Sequence, residues 1–102
     1  MRIYSAVRKI PSGRVTTYKV LANAVGCRSC RAVGQALRKN PYAPEVPCHR
    51  VIASNLQIGG FEGQRQGPSI EKKKKMLKAE GVTFRNGRLA DQSNLFWFDQ
   101  QH

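Results

Sequence analysis

The chain has 102 residues, enough for one domain around a single modest core. Its 18 lysines and arginines stand against 6 acidic residues, and a formal net charge of +12 implies an anionic partner. Nucleic acid is the first candidate, because neutralising phosphates supplies most of a protein's sequence-independent affinity for it. A membrane surface is the weaker alternative, since no segment combines a basic face with a wide aromatic or leucine face.

The sequence shows no pattern typical of export or membrane insertion. No apolar run is long enough to span a bilayer, and the N-terminus does not resemble a signal peptide. We therefore expect a cytoplasmic protein, or in a eukaryote a nuclear one, without a membrane partner. Its 3 cysteines are an odd number, so we expect reduced thiols rather than a disulfide framework.

The first predicted element is a helix. Ile3, Val7 and Ile10 lie at helical spacing and are followed by a turn sequence, Pro11-Ser12-Gly13. A short β-prone stretch follows at residues 14–17. It leads directly into the next helical segment.

Residues 18–39 predict a helix-turn-helix. Two short helices, over residues 18–25 and roughly 30–39, are joined by a tight turn that contains a glycine. Residues that can cap or close them stand at the required positions: Thr16, Thr17, Gly26 and Ser29. The second helix of the pair is then the recognition element.

The recognition helix and the residues just before it include both basic residues and residues with small side chains. The basic residues are Arg28, Arg31, Arg38 and Lys39, and the small ones are Ala32, Gly34 and Ala36. Small side chains let a helix approach DNA or another backbone closely. The composition therefore favours a helix that docks against nucleic acid.

The C-terminal third predicts one helix and a hairpin. The helix runs from Ile70 to Glu80, with Ile70, Met76 and Leu77 as its apolar side and Gly81 at its end. The lysine run Lys72–Lys75 is interpreted as a solvated face.

After this helix, residues 82–84 look extended, and Asn86-Gly87 is a strong hairpin signal. We expect the tail, residues 83–102, to pack back on the body through its aromatic residues. The whole chain, residues 1–102, is interpreted as one mainly α domain with a small β element and a helix-turn-helix of winged-helix type.

The segment Pro47-Cys48-His49-Arg50-Val51 carries the residues best suited to chemistry. A thiolate is the nucleophilic form of cysteine, and an imidazole and a guanidinium next to it favour that form. Adjacent side chains need not face each other, so a Cys48–His49 pairing can run through water. The dipeptide alone does not distinguish a reactive cysteine from a buried structural one.

A set of motifs over roughly Ile3 to Val82 resembles the O6-alkylguanine-DNA alkyltransferase family. In chain order they are Ile10-Pro-x-Gly-Arg-Val-x-x-Tyr18, Arg31-Ala-Val-Gly-Gln-Ala36, Asn40-Pro41, Pro47 to Val51, Gly59-Gly60 and Glu80-Gly81. Two-domain members of that family carry a further N-terminal domain. The resemblance therefore implies that this chain corresponds to the C-terminal catalytic domain only.

The resemblance implies a role for each residue of the catalytic set. Cys48 is the alkyl acceptor, His49 acts through water as its base, and Glu80 orients the imidazole. Asn40 braces the active-site turn by hydrogen bonds. A thiol, a base and an orienting carboxylate together form an activated nucleophile.

The resemblance also implies a DNA- and substrate-binding set. Arg31 fills the space of the flipped base, and Tyr18 crowds the target phosphate and can hydrogen-bond the guanine. Backbone groups near Cys48 and Val51 read the guanine edge. Ala32 and Gly34 let the recognition helix lie in the minor groove, and the remaining members of the set are Arg50, Gly59 and Gly60.

The implied reaction is the repair of double-stranded DNA that contains O6-alkylguanine. A base in the stack cannot present its O6 substituent to a side chain, so the nucleotide must be flipped out. Transfer to sulfur then needs a nucleophile and a proton donor, with no cofactor and no metal. The thioether is stable, so we expect a monomer that turns over once and is inactivated.

Two features depart from the pattern or stay open. Glu62 stands where many relatives have a small or hydroxyl residue in the substrate-binding loop, which bears on the alkyl groups that fit. For Cys27 and Cys30, inert packing is favoured over a redox switch or a zinc site. A zinc site would need further ligands, and Cys48, His49 and the terminal His102 are the residues that could provide them.

Two other functions remain as alternatives. A non-catalytic alkyltransferase-like damage sensor would flip the lesion and recruit other factors, but in such proteins the acceptor cysteine is replaced, usually by tryptophan. A helix-turn-helix transcription regulator would explain the charge and the recognition helix. It would not explain Asn40 or the Pro47–Val51 segment.

Overall fold

The first helix anchors the N-terminal half. A computed structural model describes residues 2–27, 29–39, 46–60 and 67–98. Helix α1 (Arg2–Arg8) buries Ala6 and Val7, and Ile10 is buried immediately after it. Val7 and Ile10 belong to the apolar set that the sequence predicts, but the helix ends at Arg8, so Ile10 lies in the turn that follows it.

The predicted helix-turn-helix is present. Strand β1 (Thr16–Thr17) leads into α2 (Tyr18–Ala24), and α3 (Cys30–Arg38) follows after the turn. Each of the two helices begins at a hydroxyl cap, because the Thr17 side chain accepts from the Val20 amide and the Ser29 side chain accepts from the Ala32 amide. Gly26 takes a left-handed conformation, φ +71°, and ends the first helix of the pair.

A two-stranded parallel sheet joins the helix-turn-helix to the Cys48 segment. A 3-10 turn, Cys48–Arg50, runs straight into β2 (Val51–Ile52), whose partner is β1 with Thr16 opposite Val51. Neighbouring residues of a strand face opposite sides, and here Val51 packs in one core cluster and Ile52 in the other. The segment that carries Cys48 is therefore fixed between two cores.

The larger core lies under the helix-turn-helix and the smaller one under the C-terminal part. The larger cluster contains Ala6, Val7, Ile10, Leu21, Ala22, Val25, Val33, Leu37, Val46, Val51 and Phe98. The smaller contains Val15, Ile52, Leu77, Val82 and Leu89.

Helix α4 (Pro68–Ala79) begins two residues earlier than expected, because Pro68 occupies its first turn after Gly67 at φ +94°. Its buried residues are Ile70, Lys73 and Leu77. The interpretation of Lys72–Lys75 as a solvated face is therefore wrong for Lys73, whose exposed fraction is 0%. Positions 70, 73 and 77 share one helical face, so Lys73, the second lysine of the run, follows the apolar residues inward.

The C-terminal segment forms the predicted hairpin and then returns to the N-terminal half. Strands β3 (Phe84–Arg85) and β4 (Arg88–Leu89) are joined by Asn86 and Gly87, both at positive φ, as a two-residue primed turn requires.

After a 3-10 turn (Gln92–Asn94), the chain reaches the start of β1. Leu95 bridges Val15 in parallel, and the Phe96 amide donates to the Val15 carbonyl at 2.7 Å. Phe98 is buried in the larger core, with its ring edge-on to Phe96.

The expected fold class, mainly helical with small β elements and a helix-turn-helix, is confirmed. Within the part of the chain that the structure describes, no helix is long and apolar enough to cross a membrane.

Candidate active site

Cys48 lies on the 3-10 turn with a free, partly exposed thiol. Its amide donates to the Val46 carbonyl at 2.8 Å, and the Arg50 amide donates to the Pro47 carbonyl at 2.9 Å. Pro47 and Val46 are buried, and the partly exposed Cys48 packs against the larger core, so the turn rests on that core. The backbone thus presents a nucleophile on a rigid support.

His49 points inward and meets a carboxylate from a distant part of the chain. Its exposed fraction is 4%, and its Nε2 lies 3.0 Å from Oε2 of Glu80. Glu80 is the residue that ends α4, 31 positions further along. The structure therefore brings together the base and the orienting carboxylate that the sequence analysis named.

Arg50 completes this cluster from the other side. Its Nε donates to Glu80 Oε1 at 2.9 Å and its Nη2 to Glu80 Oε2 at 2.6 Å. Its Nη1 donates to the Ile10 carbonyl at 2.8 Å. We expected Arg50 in the substrate-binding set, but the structure engages its guanidinium inside the protein, where it fixes Glu80 and the end of the first helical segment.

The electrostatics of the cluster favour a neutral imidazole beside an ionised carboxylate. Burial lowers the pKa of His49, and the hydrogen bond that His49 donates to Glu80 opposes this without reversing it. Burial would raise the pKa of Glu80, but hydrogen bonds from Arg50 and His49 hold it below its usual range. An ionised carboxylate only accepts, so the Nε2 hydrogen of His49 is donated to Glu80 and Nδ1 keeps its lone pair.

Lys73 is the residue of this region that sequence reasoning missed. Its Nζ donates to three backbone carbonyls, those of Val51 at 2.9 Å, Ile58 at 2.6 Å and Gly60 at 3.0 Å. An ammonium group has three hydrogens, and each has an acceptor here. One side chain therefore ties the strand after Cys48 to the loop that ends at Gly59-Gly60.

The charge on Cys48 also affects the pKa of Lys73. Burial lowers the pKa of Lys73 to about 7, and a thiolate on Cys48 acts in the opposite direction. The signal that could have identified Lys73 was its position between Ile70 and Leu77 on the apolar face. It was hidden by the lysines on either side.

Tyr18 and Gly59 meet beside the thiol. Burial raises the pKa of Tyr18, and the Cys48 charge adds to this, so the phenol keeps its proton. Gly59 has φ +74°, and a Cβ there would lie 3.2 Å from the Ala53 amide nitrogen and 3.6 Å from the Tyr18 ring. The left-handed φ and the close approach to the Ala53 amide nitrogen favour glycine at this position.

The recognition helix, α3, buries one set of residues and exposes another. Val33 and Leu37 are buried, whereas Arg31 and Ala32 are exposed. A Cβ on Gly34 would meet nothing within 4 Å, so no packing inside the described part of the protein requires glycine there. The small residues thus leave a shallow outer surface.

Several residues named from the sequence are not placed. Asn40, Arg28, Glu62 and His102 lie outside the described residues. Cys27 is partly exposed, packs against the larger core, and its thiol lies 3.4 Å from the Ser29 carbonyl. Among the described residues no group of three or more side chains could hold a metal ion.

Comparison with known proteins finds relatives over most of the chain. The family model for the 6-O-methylguanine DNA methyltransferase, DNA binding domain, matches residues 1–82. A methylated-DNA–protein-cysteine methyltransferase of Metallosphaera sedula is 51% identical over 81 residues, which cover 79% of this chain and 47% of that protein. The chain spans about half the length of the curated relatives it matches.

Two crystal structures resemble the fold. S. pombe Atl1 in complex with damaged DNA containing O6-carboxymethylguanine has a TM-score of 0.78 and 31% identity, covering 96% of this chain and 93% of that one. Mycobacterium tuberculosis OGT in complex with DNA has a TM-score of 0.68 and 36% identity, covering 78% of this chain and 47% of that one.

These matches correct one expectation. The sequence analysis assigned the chain to the family's C-terminal catalytic domain only, and this label is wrong. The model that matches describes the DNA-binding domain, and its match begins at residue 1.

Proposed function

We propose that this chain, which belongs to the 6-O-methylguanine DNA methyltransferase family through its DNA-binding domain, transfers an alkyl group from O6 of guanine in DNA to Cys48. The observation that carries the proposal is the juxtaposition of an accessible thiol with a buried imidazole–carboxylate pair. The two parts of that pair come from the 3-10 turn and from the end of α4. Such a pair supports proton removal from a neighbouring nucleophile.

His49 is the base in the proposed mechanism. It is neutral because burial lowers its pKa, and its Nδ1 lone pair takes the thiol proton through an intervening water. Glu80 stabilises the imidazolium that forms, and Arg50 keeps Glu80 ionised. The proton is therefore held on His49 and not passed on to the carboxylate.

The transfer is a displacement at a saturated carbon. The sulfur forms a bond to the alkyl carbon, the carbon–O6 bond breaks, and its electron pair goes to the guanine. The guanine takes up one proton and the thiol has lost one, so a thioether and unmodified guanine are the products. Tyr18 keeps its hydroxyl proton and can donate it in a hydrogen bond to the flipped base.

Double-stranded DNA containing O6-alkylguanine is the proposed partner. The net charge of +12 supports a polyanionic ligand, and both structural neighbours are complexes with DNA. We propose that α3 enters the minor groove, with Arg31 filling the space of the flipped base. The exposed Ala32 and the open surface at Gly34 support a close approach there.

The remaining expectations belong to the same proposal. The chain acts as a monomer and needs no cofactor. It turns over once, because the thioether does not revert. It works in the cytoplasm, or in a eukaryote also in the nucleus.

The test is intact-protein mass spectrometry after mixing the chain with a duplex that contains one O6-methylguanine. The expected result is a gain of one methyl in place of hydrogen on the Cys48 peptide, with no gain in Cys48→Ala. Tight lesion-dependent binding without any mass gain would refute transfer.

A lesion-binding damage sensor is the second candidate. One observation favours it, because the fold resembles that of S. pombe Atl1 in complex with damaged DNA containing O6-carboxymethylguanine, with a TM-score of 0.78. The free thiol on Cys48 favours transfer. The same mass measurement separates the two candidates.

A further inference from the structure

The hairpin after α4 carries two positive charges directly opposite each other. Arg85 in β3 and Arg88 in β4 are register partners next to the turn, and both side chains are exposed. Directly opposed residues of an antiparallel pair project to the same side of the ladder. Like charges in this arrangement destabilise a hairpin.

No acidic side chain in the described ranges forms an ion pair with Arg85 or Arg88. The ion pairs there join Glu80 to His49 and Arg50, and Glu71 to Lys74. Asp91, the nearest carboxylate along the chain, accepts from the Ser93 amide. The two arginines therefore present an uncompensated pair of guanidinium groups, which is the geometry that accepts a phosphate.

The hairpin is attached to the loop that borders the candidate active site. The Leu89 amide donates to the Leu56 carbonyl at 2.8 Å, and Arg88 forms an antiparallel bridge with Gln57. Gln57 is two residues before Gly59, which approaches the Tyr18 ring. An extended backbone advances about 3.3 Å per residue, so this bridge lies within about 7 Å of Gly59 along the chain.

We propose that the β3–β4 hairpin is a second DNA-binding element, which holds one backbone phosphate between Arg85 and Arg88. The inference rests on the DNA-binding part of the proposed function. The phosphate belongs to the same duplex that α3 binds, close to the nucleotide that is flipped. The phosphate supplies the negative charge that the described part of the hairpin lacks.

The test uses Arg85→Glu, which moves stability and DNA affinity in opposite directions. The substitution replaces a like-charge pair with an opposite-charge pair, so the melting temperature of the free protein rises. The same change removes the phosphate contact. Binding to an undamaged duplex then weakens about tenfold, and the slope of log K against log salt becomes shallower by about one unit.

Lys75→Glu is the matched control, because it makes the same change of charge at an exposed position of α4. We expect this variant to weaken binding about threefold or less, through the long-range field alone. Equal losses in the two variants, or unchanged affinity in Arg85→Glu, would overturn the inference.

A measurement of methyl transfer to Cys48 distinguishes a failure of this inference from a failure of the proposed function. With lesion duplex at saturating concentration, Arg85→Glu still methylates Cys48, because the hairpin does not touch the thiol. If the wild-type protein binds DNA but never gains a methyl, the transfer proposal fails. The DNA affinities of Arg85→Glu and Lys75→Glu then still test the inference about the hairpin. If the wild-type protein binds no DNA, both fail.

Discussion

His49 and Arg50 both hydrogen-bond to Glu80, so a substitution of Glu80 changes the surroundings of both side chains. Its Oε2 lies 3.0 Å from His49 Nε2 and 2.6 Å from Arg50 Nη2. An amide in its place would keep one acceptor but lose the charge that stabilises an imidazolium. In the proposed mechanism, Glu80 acts on the thiol through His49.

For Glu80→Gln we expect the single-turnover rate of transfer to fall about a hundredfold or more, because the base loses its charged partner. The rate is measured by quenching a mixture of protein and lesion duplex and counting methylated protein. Glu71→Gln, at an exposed position of α4, is the control and should react at the wild-type rate. Equal rates in all three proteins would show that the pair has no part in transfer.

Lys73 is a residue whose burial predicts a large cost of substitution. Lys73→Met leaves the carbonyls of Val51, Ile58 and Gly60 without their donor. An unsatisfied buried polar group costs about 1–3 kcal/mol, so we expect a loss of at least about 2 kcal/mol in the free energy of unfolding. Urea denaturation measures it, with the exposed Lys75→Met expected to change stability by less than about 0.5 kcal/mol.

The lowered pKa of Lys73 predicts the direction of a pH effect. In the folded protein burial lowers the pKa of Lys73 to about 7, whereas in the unfolded chain its pKa is the ordinary lysine value of 10.5. Between these values the unfolded state binds more protons, so this group makes stability rise with pH. We expect the stability difference between the wild type and Lys73→Met to grow from pH 7 to pH 9.5 in urea titrations. A constant difference over that window would contradict the lowered pKa.

At the scale of elements, the helix-turn-helix depends on its caps. Helix α3 has nine residues, which is short for a helix in isolation, and its first turn is satisfied by Ser29. The other helix of the pair uses Thr17 in the same way. The position of the recognition helix is thus determined partly by two hydroxyl groups.

For Ser29→Ala we expect a loss of about 1 kcal/mol in the free energy of unfolding and weaker binding to DNA, because the start of α3 frays. Ser29→Asp restores the cap and should keep wild-type stability, which separates capping from any other role of the serine. Circular dichroism during urea denaturation gives the stabilities, and fluorescence anisotropy gives the affinities. A Ser29→Ala protein as stable as the wild type would refute the role of the cap.

At the scale of the whole molecule, the C-terminal segment links the two cores. Leu95 and Phe96 are joined to Val15, and Asn94 donates to the Gly13 carbonyl at 2.9 Å. Val15 leads into β1, which pairs with the strand that follows Cys48. Residues beyond the region that the family model matches therefore help to hold in place the two strands that support the candidate active site.

Two neighbouring aromatic residues test this link. Phe98 is 8% exposed and Trp97 is 67% exposed, so only the first contributes to the core. We expect Phe98→Ala to lower the free energy of unfolding by about 3 kcal/mol, the cost typical of a buried phenylalanine. Trp97→Ala is the matched control and should stay within about 0.5 kcal/mol of the wild type. Similar small losses in both variants would show that the tail does not stabilise the fold.

The sequence by itself determined the local structure and the chemistry of single residues. Periodicity, capping hydroxyls and the Asn86-Gly87 turn signal act over a few residues, so the helices and the hairpin could be predicted within two residues at their ends. The charge indicated a polyanionic partner, and the motifs around Cys48 predicted the family. Asn40 and the arrangement around Glu62 stay predictions.

Only the tertiary structure decided which distant groups meet. The β-prone stretch at residues 14–17 was predicted, but its parallel pairing with β2 was not, and the pairing of Arg50 with Glu80 depends on where α4 ends. The burial of Lys73 could not be predicted for a similar reason, because three carbonyls from a strand and a separate loop had to converge before a charged side chain could be satisfied inside. Such partners are set by the packing of the two cores, which no local pattern encodes.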